Sequence, residues 1–127
     1  MTRAEVQAWL DRYVAAWRAN DPQLIADLFA ADAIYRWRPY GPEDRSARGR
    51  QAIVAAWLDD PDDPDAWEAA YAPFAVDGDR AVATGVSRYF RTAVEPERTY
   101  HNVFLLHFAD DGRCSEFTEL WMLEENA

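Results

Sequence analysis

Arg98-Thr-Tyr-His-Asn-Val-Phe-Leu-Leu-His-Phe108, then Ala-Asp-Asp-Gly112, then Arg113-Cys-Ser-Glu-Phe-Thr-Glu-Leu-Trp-Met-Leu123: this stretch decides the fold. Two runs rich in aromatic and β-branched residues flank a turn that ends in Asp-Gly. Glycine takes the positive φ that closes such a turn, so the stretch reads as a β-hairpin. Side chains alternate faces along a strand. Tyr100, Asn102, Phe104, Leu106 and Phe108 therefore share one face of the first strand, and Ser115, Phe117, Glu119, Trp121 and Leu123 share one face of the second. Each face is mostly apolar with one polar residue in its middle, Asn102 or Glu119. A carboxylate between Phe117 and Trp121 costs free energy to bury unless it is paired or hydrogen-bonded. Two readings stand: Glu119 faces a pocket, or the register slips by one and Thr118 faces inward instead.

Upstream, Thr2 and Glu5 form a capping box for a first helix that reaches about Asn20. Val6, Trp9, Leu10, Tyr13, Val14 and Trp17 make its apolar face. Asp21 caps a short second helix with Pro22 at its first position, and Leu24, Ile25, Leu28 and Phe29 are its expected buried side. Residues 32–38 read as a strand with Tyr35 and Trp37 on one face. Pro39, Gly41 and Pro42 mark residues 39–48 as a polar loop. Gly49 precedes a third helix over 50–58, and an Asp- and Pro-rich break follows at 59–65. Strands at 66–76 and 80–91 lead back to the hairpin.

Runs of helices followed by runs of strands indicate an α+β fold rather than an α/β one. The expected order is helix, helix, strand, helix and four strands, with a curved antiparallel sheet packed on three helices and a hollow between them. At 127 residues, half of them hydrophobic, the chain is a single domain, 1–127, with enough apolar residues for its own core. A net charge of −10 argues against nucleic acid and against anionic membranes as partners. The one cysteine, Cys114, excludes an internal disulfide and a cysteine-based zinc site, and reads as a small packed residue. No run is apolar enough for a signal peptide or a membrane span, so the expected location is cytoplasmic.

Asp21-Pro22, then Leu28-Phe29-Ala30-Ala31-Asp32-Ala33 leading into the first strand, Gly49-Arg50-Gln51-Ala52-Ile53 opening the third helix, and Asp111-Gly112-Arg113 before the last strand resemble the nuclear transport factor 2-like superfamily. Its SnoaL-like small bacterial proteins are the most similar group. The resemblance implies a cone-shaped fold with a pocket at one end and a homodimer through the outer face of the sheet. The superfamily holds isomerases, cyclases, hydrolases, dehydratases and non-catalytic binders, so the fold does not settle the activity.

Residue by residue, Tyr13 matches the tyrosine that donates to the oxyanion in ketosteroid isomerase. That family's base position is Trp37 here, and its second oxyanion donor is Phe104, so two of three roles are missing. Tyr35 matches the water-positioning tyrosine of limonene epoxide hydrolase, and Glu119 stands at its catalytic aspartate. That family's partner asparagine is Trp37, and its Arg-x-Asp pair is replaced by Ser87-Arg88-Tyr89. The SnoaL-type polyketide cyclases use one acidic residue in the pocket, a role open to Glu119.

The candidate acid-base residue is thus Glu119, with Tyr13 or Asn102 polarising a substrate oxygen. Tyr35, Trp37, Arg88, Phe104, Phe117 and Trp121 are the candidate substrate contacts. Arg88 could equally pair with Glu119, and its face is open. His101 and His107 lie opposite Asn102, with no metal-ligand spacing around them. Arg45, Arg48 and Arg50 form a basic cluster that either is solvated or edges the pocket mouth. The expected partner is a small hydrophobic molecule, and no metal or organic cofactor is called for. Two functions remain: a cofactor-independent acid-base enzyme (cyclase, isomerase, dehydratase or hydrolase), or a non-catalytic ligand-binding or scaffold module.

Overall fold

The computed structural model describes residues 1–42 and 46–125. Helix α1 spans Arg3–Ala19, α2 Pro22–Ala26 and α3 Arg50–Asp59; the strands are β1 Phe29–Arg36, β2 Ser46–Arg48, β3 Trp67–Asp77, β4 Arg80–Tyr89, β5 Arg98–Phe108 and β6 Cys114–Leu123. The strands form one curved, open sheet in the order β2-β1-β6-β5-β4-β3, an α+β architecture with the helices against its concave face. None of the described helices is long and apolar enough to cross a membrane.

The local signals act as their chemistry requires. The Thr2 hydroxyl accepts from the Glu5 amide, and the Glu5 carboxylate accepts from the Thr2 amide. At the other end of α1, Asn20 takes the left-handed conformation, φ 51°, and returns its amide to the Ala16 carbonyl. Asp21 accepts from the amides of Gln23 and Leu24, with Pro22 at the first position of α2. Gly112 closes the β5–β6 turn at φ +85°.

Five features of the fold depart from the sequence pattern. The second helix ends at Ala26, and Phe29 opens β1 instead of extending the helix. The Leu24-Ile25-Leu28-Phe29 spacing fits a helix, but Phe29 aligns with Cys114 of β6 and is fully buried there, while Leu24 is exposed. Strand β1 then ends at Arg36, so Trp37 lies beyond it. The short strand β2 falls in the stretch that reads as loop. It lacks apolar alternation and forms by adding Ala47 opposite Tyr35 on the free edge of β1. The sheet is mixed rather than wholly antiparallel, because β1 runs parallel to β6; no tight turn joins these two strands and dictates their direction. Finally, a bulge between His107 and Phe108 places Cys114 opposite Phe108, on the core side, despite its odd position relative to Phe117 and Glu119. Cys114 is fully buried, and burial pushes its thiol up to about 12, so it packs as an inert small residue.

Successive turns of α1 set the depth of the interior. Trp9 lies deepest, edge-on to Phe29 and Phe108, and donates its indole N–H to the Leu28 carbonyl at 3.0 Å. Tyr13, one turn on, stacks on Phe117 at 5.4 Å and meets Trp57 edge-on. Trp17, a further turn on, leaves the core and stacks on Trp67 at 3.6 Å. Residues four apart on a helix share a face, so one face of α1 runs from closed core to open rim.

Candidate functional site

Between α1, α3 and the concave face of the sheet lies a cavity of about 460 Å³. Tyr13, Tyr35 and Tyr71 line its inner end. Ser87, Asn102 and Glu119 line the sheet wall, and Trp17, Trp37, Tyr89, Tyr100 and Trp121 surround its mouth along with Asp60, Asp62 and Arg98.

The wall follows from register. Phe104 pairs with Glu119, Asn102 with Trp121, and Ser87 with Tyr100. Glu119 and Asn102 are therefore diagonal neighbours across β6 and β5, and Asn102 and Ser87 are diagonal neighbours across β5 and β4, all facing inward. Their polar groups connect in sequence. The Ser87 hydroxyl donates to Asn102 Oδ1 at 2.7 Å, and Asn102 Nδ2 donates to Glu119 Oε1 at 3.4 Å. Tyr71 stands beside Ser87 at the far end of the chain. Among the described residues, Ser87 and Asn102 are buried, so this polar group, like the Tyr13–Tyr35 hydroxyl pair, belongs to the interior.

Burial raises the Glu119 carboxyl to about 7; the Asn102 amide, which favours the charged form, holds it from rising further. A carboxyl with that value is present in both protonation states near neutral pH and can give or take a proton. The Tyr13 and Tyr35 hydroxyls hydrogen-bond to each other at 3.1 Å. Both phenols are raised well above their ordinary value, first by burial, with the Glu119 charge adding to it. They remain neutral donors at any working pH.

The sequence-derived candidates divide three ways. Glu119, Asn102, Tyr13, Tyr35, Trp37 and Trp121 come together on the cavity, Trp121 at its exposed mouth. Phe104 and Phe117 face inward too, but they are fully buried beneath the inner tyrosines and support them rather than line the space. Arg88 is on the outer face, where it pairs with Glu68 at 3.2 Å and Glu97 at 3.6 Å, so it meets neither Glu119 nor the cavity. Its neighbours Ser87 and Tyr89 hold the inner positions. Of the basic cluster, Arg48 and Arg50 are not among the residues that line the cavity, and Arg50 donates to the Phe29 carbonyl; Arg45 lies outside the described residues. His101 pairs with Glu124 and His107 with Asp79, both on the outer face. Among the described residues no group of three or more His, Cys, Asp or Glu is placed to hold a metal ion.

Sequence reading missed Ser87, Tyr71, Tyr89, Tyr100, Trp17 and Asp62. The available signal was Ser87, two residues beyond Gly85 on a strand whose other inner residues are alanines. A Cβ on Gly85 would lie 2.1 Å from the Ala70 carbonyl oxygen and 2.4 Å from the Tyr71 ring. The glycine is what lets Tyr71 lie across β4 toward the cavity.

Residues 10–117 match the family model described as the SnoaL-like domain. Solved structures share the fold at low sequence identity. One is an NTF2-like protein of unknown function from Burkholderia xenovorans, with TM-score 0.69 and 18% identity over 98% of this chain and 88% of that one. An NTF2-like protein of unknown function from Mesorhizobium loti gives 0.66 and 22%, over 94% and 93%. A candidate isomerase from Bacillus subtilis gives 0.70 and 18%, over 96% and 90%. No curated protein matches the chain.

Proposed function

The chain belongs to the SnoaL-like domain family, and from that premise and the cavity we propose that it is a cofactor-independent acid-base enzyme acting on a compact, largely apolar small molecule. The observation that carries the proposal is the Glu119 carboxyl, set into an aromatic cavity wall, oriented by Asn102 and titrating near neutrality. In the reaction the Glu119 carboxylate removes a proton from a carbon next to a substrate carbonyl. The C–H pair moves into the enolate and its charge to the oxygen, where a Tyr13 or Tyr35 hydroxyl donates a hydrogen bond. Glu119, now protonated, returns the proton to a different carbon. Atoms and charge balance with no redox partner, as in an isomerase; in a cyclase the enolate carbon instead bonds to a second carbonyl carbon, whose C=O pair moves to its oxygen and takes the Glu119 proton.

A non-catalytic ligand-binding module is the second reading, favoured by one observation. The Tyr13 and Tyr35 hydroxyls already satisfy each other in part, so only one phenolic proton is available to a ligand. A homodimer forms part of the proposal in either case, through the outer face of the sheet, where Phe74, Val86, Leu105 and Met122 are exposed.

The test is solvent-deuterium exchange. A panel of small cyclic and aryl ketones is incubated in D2O and followed by proton NMR. Catalysed loss of the α-proton signal that rises through pH 7 and vanishes in Glu119→Gln supports the enzyme. Saturable ligand shifts without exchange above the Glu119→Gln background turn the reading to the binding module.

A further inference from the structure

The rim of the cavity differs in character from its floor. Trp17, Tyr89, Tyr100 and Trp121 form a cup of rings: Tyr100 meets Trp121 edge-on at 5.4 Å and Tyr89 at 5.8 Å, and Trp17 lies 6.3 Å from Tyr89. Asp62 closes one side. Its Oδ2 accepts from the Trp17 indole at 3.0 Å and from the Tyr89 hydroxyl at 3.4 Å, which fixes the carboxylate at the mouth. Asp60 is also on the rim. The one cation among the described lining residues, Arg98, is already partnered: it pairs with Glu95 at 3.0 Å and lies over one face of the Tyr89 ring at 5.1 Å, which leaves Trp17, Tyr100 and Trp121 as the rings of the cup not covered by it.

We infer that the cavity takes an organic cation, a protonated or quaternary amine with a compact apolar body, its positive end in the Trp17–Tyr89–Tyr100–Trp121 cup beside Asp62 and its body toward Glu119. This inference rests on the cavity being a ligand site and narrows the class of ligand. Aromatic faces attract a desolvated ammonium through their quadrupoles, and a fixed carboxylate adds directly to that attraction. Among the described residues at the mouth, the charges without an ionic partner are negative, and the molecule carries −10 overall, so an anionic ligand is disfavoured both at the rim and at long range. A positive end also compensates the charge that develops on a substrate oxygen during proton abstraction.

The experiment is a matched series read by tryptophan fluorescence at low salt: benzyltrimethylammonium, its uncharged isostere neopentylbenzene, and phenylacetate. The expected result is that the cation binds about 10-fold tighter than the neutral compound. Phenylacetate is weakest, and added salt loosens the cation alone. Asp62→Asn, whose amide oxygen still accepts from Trp17, lowers cation affinity about 3- to 10-fold and leaves the neutral compound unchanged. Equal or tighter binding of neopentylbenzene overturns the inference and leaves the ligand cavity standing. Tighter binding of phenylacetate overturns it as well. If no compound in the series binds, both the inference and the ligand-site reading on which it rests fall.

Discussion

Replacing Glu119 by glutamine isolates the thermodynamic consequence of placing a carboxyl in this wall. In the unfolded chain Glu119 titrates near its ordinary 4.5; in the folded protein it titrates near 7, because burial disfavours the charged form. Between those values the folded state holds a proton that the unfolded state has released. The part of the stability that depends on Glu119 therefore falls as pH rises across that window: it is greatest below 4.5 and levels off above 7. At about 1.4 kcal/mol per pH unit the whole decline amounts to about 3 kcal/mol. Glutamine keeps the shape and can still accept from Asn102 Nδ2, but it has no charge to bury. The stability of Glu119→Gln minus that of the parent should thus climb by about 3 kcal/mol from pH 4 to pH 8, with its midpoint between the two pKa values. For a chain of this length that equals roughly 10 °C in Tm. Urea unfolding of both proteins by far-UV circular dichroism at intervals of one pH unit measures the difference directly, and the other acids cancel. A flat difference would refute the buried-acid reasoning. A difference that declines with pH would refute it more severely, since it would mean that the ionised form is the one the fold stabilises.

Two further outcomes test the fold around the site. Gly85→Ala places a Cβ 2.1 Å from the Ala70 carbonyl oxygen and 2.8 Å from the Tyr71 Cα, backbone atoms that cannot swing aside, so it should cost about 3 kcal/mol or prevent folding. Gly112→Ala, at φ +85° with open space around it, should cost only about 1 kcal/mol; equal costs in urea unfolding would refute the close packing of β3 on β4. Native mass spectrometry should give twice 14.6 kDa for the parent and a single subunit for Leu105→Arg, whose charge falls on the outer face; an unaltered dimer would move the interface elsewhere.

Periodicity made the inward face of β5 and β6 legible, and with it Glu119 and Asn102, because each polar residue interrupts an otherwise apolar alternation. It did not make depth legible. Phe104 and Phe117 share the face of Asn102 and Glu119 yet lie in the closed core, and position along the strand relative to α1 separates the two fates. Strand β4 was ambiguous for a different reason. Its alternating sets, Ala81-Ala83-Gly85-Ser87 and Val82-Thr84-Val86-Arg88, are both small or mixed, and pattern alone favours the valines as the inner set. The Gly85–Tyr71 approach and the pairing with β5 put the smaller set inside, which brings Ser87 to Asn102 and sends Arg88 out to Glu68 and Glu97. Asp62 was hidden in a run of acidic residues that looks uniformly solvated; its half-buried position and its hydrogen bonds from Trp17, Tyr89 and Asn20 distinguish it from its neighbours.

The order of donors along the wall bears on why Glu119 titrates near 7 and no higher. Desolvation alone pushes a carboxyl upward without preference for any working pH. The Ser87 hydroxyl donates a hydrogen bond to Asn102 Oδ1, and Asn102 Nδ2 is turned toward Glu119. A donor aimed at the carboxyl favours the anion and opposes desolvation; a reversed amide would present an acceptor, favour the protonated acid and raise the value further. The Ser87 hydroxyl thus bears on Glu119 without touching it, through the Asn102 amide. A fold that needed only a satisfied core would gain by replacing all three residues with apolar ones, since a buried polar chain at best recovers its own desolvation. Under the proposed acid-base function, ending the chain on a cavity rather than in the core leaves the Glu119 carboxyl within reach of a ligand.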